Sequence, residues 1–162
     1  MAIQPHPTLS IHTLSASDVA MMRDMLGMFG TAFDDVPTYT AHQPDDAYLQ
    51  RQLSDDHFIA VAALAEGKVV GGLAAYVLPK FEQARSEVYI YDLAVDEAFR
   101  RRGVATALIR EVQRVAAEKG AYVVFVQADY EDEPAVALYS KLGIREDVLH
   151  FDLPLPDDNG RE

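Results

Sequence analysis

The chain has 162 residues, enough for one domain with a substantial core, and its 49 % hydrophobic and 25 % charged content is an ordinary globular balance. It contains no cysteine, which excludes disulfides, thiolate metal sites and a cysteine nucleophile. Fourteen basic residues against 26 acidic ones leave a net charge of −12, a field that disfavours nucleic acid and suits a polycationic small molecule, although solubility alone makes many proteins acidic.

A first short strand is expected over residues 11–14. A helix follows over 18–29, with Val19, Met22, Met25, Leu26 and Phe29 at helical spacing and Ser17 as candidate N-cap. Residues 33–43 read as a loop, marked by Asp34, Asp35 and Pro37. A second helix is expected from Asp45 or Asp46 to Leu53. Runs 57–64 and 69–78 are strand-like and joined through Glu66-Gly67, a hairpin signal. After a polar connection comes another strand over 87–95, rich in tyrosine and β-branched residues.

The cluster Arg100-Arg101-Arg102-Gly103 then opens a long helix over 104–119, with Val104, Leu108, Val112 and Val115 on one face and Gly120 at its C-terminal cap. A nearly all-apolar run over 122–128 suits a buried central strand. A short helix over 132–142 closes at Gly143, and a last strand over 148–153 precedes Pro154 and Pro156. The order βααβββαβαβ implies an α+β domain built on a mixed sheet, with no repeat or linker dividing residues 1–162. The polar ends, 1–8 and 157–162, read as tails. No signal peptide is visible and no apolar stretch approaches the roughly 20 residues of a membrane helix, so a cytoplasmic protein with no membrane partner is expected.

The strongest local chemistry is Arg100-x-x-Gly103-x-Ala105 between a strand and a long helix. A helix start leaves backbone N–H groups unpaired, and its dipole favours negative charge there. Gly103 carries no Cβ, so a diphosphate can approach the backbone. Three arginines at that end oppose the dipole, which calls for an anionic partner rather than a merely solvated basic run. A Walker loop is excluded, since no Gly-Lys-Ser/Thr occurs, and the Rossmann glycine pattern is absent too.

This segment, after Tyr89-Ile90-Tyr91-Asp92-Leu93-Ala94-Val95, resembles motif A of the GNAT superfamily, and Pro134-Ala135-Val136-Ala137-Leu138-Tyr139-Ser140-Lys141-Leu142-Gly143-Ile144 resembles its motif B. The resemblance spans residues 11–153. Ala74-Ala75-Tyr76-Val77-Leu78-Pro79-Lys80-Phe81-Glu82-Gln83, His42-Gln43-Pro44-Asp45, Val126-Gln127-Ala128-Asp129-Tyr130 and His150-Phe151-Asp152 further resemble the type I aminoglycoside 3-N-acetyltransferases. These transfer acetyl from acetyl-CoA to the 3-amino group of 2-deoxystreptamine aminoglycosides such as gentamicin, inactivating the antibiotic.

The resemblance implies a GNAT fold: a mixed, mostly antiparallel sheet with splayed strands, flanked by helices. It implies that backbone groups of Leu93, Ala94 and Val95 pair with the pantetheine arm. Amides around Arg101, Arg102, Gly103, Val104, Ala105 and Thr106 would hold the pyrophosphate, and Tyr139 would lie near the departing thiolate. Many members of this superfamily dimerise, so a homodimer is one option.

An aminoglycoside amine is largely protonated near neutral pH, so the site must bind an ammonium, take its proton and stabilise an oxyanion. Direct transfer in a ternary complex fits a chain without cysteine. Asp92, among aromatic neighbours, is the first candidate base and Asp129 the second. Tyr91, Glu131, Asp132 and Glu133, with Glu87, are candidates for the acceptor's side, although Asp132 serves equally well as an N-cap, Glu87 as a solvated strand start, and Tyr139 as a packing residue. The five histidines show no metal-ligand spacing, and no metal is expected. Other readings are an acetyltransferase for a polyamine, another small amine or a protein N-terminus, and a non-catalytic acyl-CoA-binding module.

Overall fold

The computed structural model describes residues 7–156; the two polar ends lie almost wholly outside that range. The chain divides into two units, one through Gln127 and the other from Ala128.

In the first unit, β1 (Leu9–Thr13) leads into α1 (Val19–Ala32), α2 (Val36–Thr40) and α3 (Asp46–Ser54). Next come β2 (Phe58–Ala65), β3 (Lys68–Pro79) and β4 (Ser86–Val95), a 3-10 turn at Glu97–Phe99, α4 (Val104–Glu118) and β5 (Ala121–Val126). The sheet order is β1-β2-β3-β4-β5. All ladders are antiparallel except β4–β5, which is parallel. This is the mixed, mostly antiparallel α+β sheet implied by the sequence, and the hairpin falls at Glu66-Gly67, both at positive φ.

Strand alternation puts the β2 residues Phe58, Ala60 and Ala62 against Met22, Met25 and Phe29 of α1 and Leu49 and Leu53 of α3. The opposite pleat, with Ile59, Val61 and Ala63, is equally buried, so β2 is apolar on both faces. There α4 crosses the sheet, its Val104, Leu108, Val112 and Val115 all buried, the stripe predicted from its spacing.

Two irregularities in β4 shape the site. Between Ala74↔Asp92 and Ala75↔Ile90, Tyr91 has no partner and forms a β-bulge. The parallel ladder to β5 ends at Ile90↔Val126, while β3 stays paired with β4 as far as Val95. Beyond Ile90, among the described residues, no strand pairs with β4 on its β5 side.

The structure corrects four expectations. The apolar run over 122–128 is not a buried central strand: β5 ends at Val126 and stands at the edge of the sheet among the described residues, with Tyr122 and Val123 exposed, because an apolar run does not say how many neighbours its strand will have. Asp18, not Ser17, precedes α1, and its carboxylate accepts from the Ser15 amide and hydroxyl rather than from the helix. Within the expected loop 33–43, α2 forms: Asp35 accepts from the Thr38 amide at 3.4 Å and Pro37 sits in the first turn. Loop signals and helix-start signals are the same residues, and five residues are too few to show a period. No strand forms over 148–153. A strand exists only through a neighbour's ladder, and none of the described residues pairs with this segment, which Pro154 closes.

In the second unit, α5 (Glu133–Leu142) is capped by Asp132, whose carboxylate accepts from the Ala135 amide at 3.2 Å. It ends at Gly143, whose amide donates to the Tyr139 carbonyl. Among the described residues no helix is long and apolar enough to cross a membrane.

Candidate functional site

The turn from β4 into α4 is a backbone cradle. Arg101 and Gly103 both have positive φ, 61° and 77°, which bends the chain sharply before the helix. The first intrahelical bond runs from the Ala107 amide to the Gly103 carbonyl at 3.0 Å, so the amides of Val104, Ala105 and Thr106 have no helical acceptor. No side chain caps this helix start and its first turn has no acidic residue. Space around Gly103 is open: a Cβ built there would meet no atom within 4 Å.

All three arginines are exposed. Arg100 donates from Nε to the Val95 carbonyl at 3.1 Å, tying the loop to the end of β4, and Arg102 lies over the Phe99 ring at 5.4 Å. Among the described residues none of the three forms an ion pair, and they stand beside three amides without helical acceptors. That donor set fits a diphosphate.

Along the open edge of β4, backbone groups of Tyr91, Asp92, Leu93, Ala94 and Val95 alternate in direction, so part of them face the side where β5 no longer pairs. An extended amide-bearing chain can occupy such an edge as an added strand.

Asp92 is half-buried on the pleat facing α1 and α2. Its Oδ2 accepts from the Tyr39 hydroxyl at 3.0 Å. Burial raises its pKa above the ordinary carboxylate value, with the Tyr39 hydrogen bond opposing that rise. Around it stand tyrosines: Tyr91, 62 % exposed, makes edge contacts with Tyr76 at 5.7 Å and with Tyr89 at 6.0 Å. Tyr89 stacks on Phe125 at 4.8 Å and donates to the Gln127 side chain at 3.0 Å. The bulge lets the consecutive residues Tyr91 and Asp92 share this cluster, which regular alternation would forbid.

Tyr39 and Tyr76 escaped the sequence reading. The only signal was Tyr76's position within the segment resembling 3-N-acetyltransferases; Tyr39 lay in an apparent loop. Glu87 is less available than expected, because it accepts from the Tyr122 hydroxyl and pairs with Lys80 at 3.4 Å.

The remaining candidates belong to the second unit. Asp129 lies past the end of β5, its carbonyl accepting from the Asp132 amide at 3.1 Å. Glu131 and Glu133 flank Asp132 at the start of α5, and Asp132 is engaged as that helix's N-cap. Tyr139 is partly buried, and burial together with the Asp132 carboxylate pushes its phenol up to about 12, so it stays protonated and able to donate.

The model of the acetyltransferase (GNAT) family matches residues 22–144. The crystal structure of an aminoglycoside acetyltransferase from an uncultured soil metagenomic sample is 60 % identical, with 92 % of this chain and 99 % of that chain covered and a TM-score of 0.90. Another aminoglycoside acetyltransferase from such a sample, solved in complex with sisomicin, is 34 % identical over 91 % of this chain and 97 % of that one, with a TM-score of 0.82. An aminoglycoside N(6')-acetyltransferase type 1 of Salmonella typhimurium is 29 % identical over 64 % of this chain and 75 % of its own length. Other curated relatives are matched over little more than half of their length, 52 % to 58 %.

Proposed function

The chain belongs to the acetyltransferase (GNAT) family, whose members use acetyl-CoA, and from that membership we propose that it acetylates the 3-amino group of 2-deoxystreptamine aminoglycosides such as gentamicin, inactivating them. Residues 1–162 act as one transferase domain in this reading. The observation that carries it is Asp92, a half-buried carboxylate beside the open edge of β4, in a chain so similar to aminoglycoside acetyltransferases.

Acetyl-CoA, when bound, supplies the activated acyl group. The amides of Val104, Ala105 and Thr106 and the potential of Arg100, Arg101 and Arg102 would hold its diphosphate, while the β4 edge at Leu93, Ala94 and Val95 would align its extended arm. Asp92 takes the proton from the acceptor ammonium, and its raised pKa brings it nearer the working pH than an exposed carboxylate. The Tyr76, Tyr89 and Tyr91 rings offer faces to the cationic sugar. Asp129, Glu131, Asp132 and Glu133 would add acidic character toward further amines, and Tyr139 a donor toward the departing sulfur. These last roles rest on position in the sequence motifs.

Mixing the protein with acetyl-CoA and gentamicin is expected to release free thiol and to place one acetyl group on N-3, read by NMR of the product. No thiol release with any 2-deoxystreptamine aminoglycoside would reject the reading. The Salmonella relative favours a second regiochemistry, and acetylation at N-6′ in the same product would establish it. Turnover of a polyamine with no turnover of aminoglycosides would instead move the acceptor to that class, which the net charge of −12 also suits.

A further inference from the structure

We propose that Tyr39 is a positioning residue for the transfer reaction, its hydroxyl holding Oδ2 of Asp92 so that Oδ1 is left for the acceptor's amine. The proposal rests on Asp92 being the base and adds the group that orients it.

The tyrosine is built into place. Its ring lies 5.9 Å from Phe29 and 5.7 Å from Phe33, and those two rings stack on each other at 5.7 Å. Its carbonyl accepts from the Gln43 side chain at 3.2 Å. α2 sits tightly on α1 because Gly30 lies beneath it: a Cβ there would come within 3.1 Å of the Val36 Cα and 3.3 Å of the Tyr39 Cβ. The hydroxyl therefore reaches Asp92 from a fixed platform, over a sequence separation of 53 residues.

A carboxylate with one oxygen bonded to a rigid donor loses its rotational freedom, which is what a base needs to meet a bound ammonium at hydrogen-bond distance. Burial raises the Tyr39 phenol well above its usual value, with Asp92 adding to the effect, so the hydroxyl remains a donor wherever Asp92 is ionised. The groups facing Asp92 are Tyr39 from α2 with Asp35 behind it, Tyr76 from β3 with Tyr48 of α3 beyond, and Tyr89 and Tyr91 from β4 itself. Among the described residues no lysine, arginine or histidine pairs with Asp92, so Tyr39 is the one side chain that favours its ionised form.

The test compares wild type, Tyr39→Phe and Asp92→Asn in two measurements. Carboxyl 13C NMR, with Asp92 assigned from the asparagine variant, follows its titration without any turnover. Tyr39→Phe keeps the aromatic stack and removes only the donor, so the Asp92 midpoint should rise by about one pH unit. The acid limb of kcat/KM for gentamicin should move up with it, lowering the rate about tenfold at pH values below both midpoints and little above them, while leaving acetyl-CoA affinity unchanged. Gly30→Ala, which keeps the hydroxyl but crowds α2, should move the midpoint the same way by less.

An unmoved midpoint in Tyr39→Phe with the melting temperature retained would overturn the proposal whatever the rate shows. A raised midpoint with an unchanged rate profile would remove Asp92 from the chemistry and overturn the reading beneath it. Should Tyr39→Phe fold poorly, Gly30→Ala decides: a lowered or unmoved midpoint there counts against the proposal.

Discussion

Asp92→Asn is expected to lower kcat by about 10²–10⁴-fold, the usual contribution of a positioned general base. Acetyl-CoA affinity, read by calorimetry, should not change, because the side chain lies on the α1 pleat rather than on the β4 edge or at the α4 start. Asparagine keeps the shape and can still accept from Tyr39, so loss of activity cannot be ascribed to a collapsed site. Stability supplies an internal control. The folded-state pKa of Asp92 is raised, so its contribution to stability is present below the ordinary carboxylate pKa and is lost as pH climbs through the raised value. At pH 8 the ionised, half-buried carboxylate is a net cost that asparagine removes, and the variant should melt at the same temperature as wild type or slightly higher. A variant that lost activity by unfolding would melt lower. Full turnover in a well-folded Asp92→Asn would transfer the role to Asp129 or to water.

Gly103→Val is expected to raise the Kd for acetyl-CoA about tenfold or more while sparing the Asp92 cluster. The cause is backbone conformation: at φ 77° a β-branched residue carries strain of about 1–3 kcal/mol. Since nothing lies within 4 Å of a Cβ at this position, the protein itself offers no clash, and the side chain would project into the open approach to the amides of Val104, Ala105 and Thr106. Relaxing the strain would re-aim those amides, and filling the approach would block a diphosphate. Alanine at the same position separates the causes, since it retains most of the strain but little of the bulk. A wild-type Kd in Gly103→Val would place the diphosphate elsewhere and undo the binding assignment.

Much of the architecture could be read before any coordinates. The period of α4 gave its buried stripe, Val104 to Val115, because an amphipathic helix records which side faces the sheet. Glu66-Gly67 gave the hairpin through its glycine, which takes the positive φ of a tight turn at no steric cost. The uncapped start of α4 was legible too, because unpaired amides at a helix start are a local property and Gly103 marks the turn before it.

Other features were written nowhere in local sequence. A bulge is a mismatch between two strands, so Tyr91's lack of a partner depends on the register of β3 as much as on β4. The end of the β4–β5 ladder at Ile90 likewise belongs to the pair. The failed strand at 148–153 had the right composition but no ladder to join, and ladder formation is decided by neighbours.

The sequence by itself thus determined the family, through motifs in the order that acetyltransferases of this kind share, and a helix start with unpaired amides beside three arginines. Tertiary structure alone decided how Asp92 is held. It brought Tyr39 across 53 residues to the carboxylate, packed α2 against α1 over Gly30, and buried the acid among tyrosines. Desolvation and side-chain hydrogen bonds arise from groups distant in the chain, and no pattern of spacing carries them.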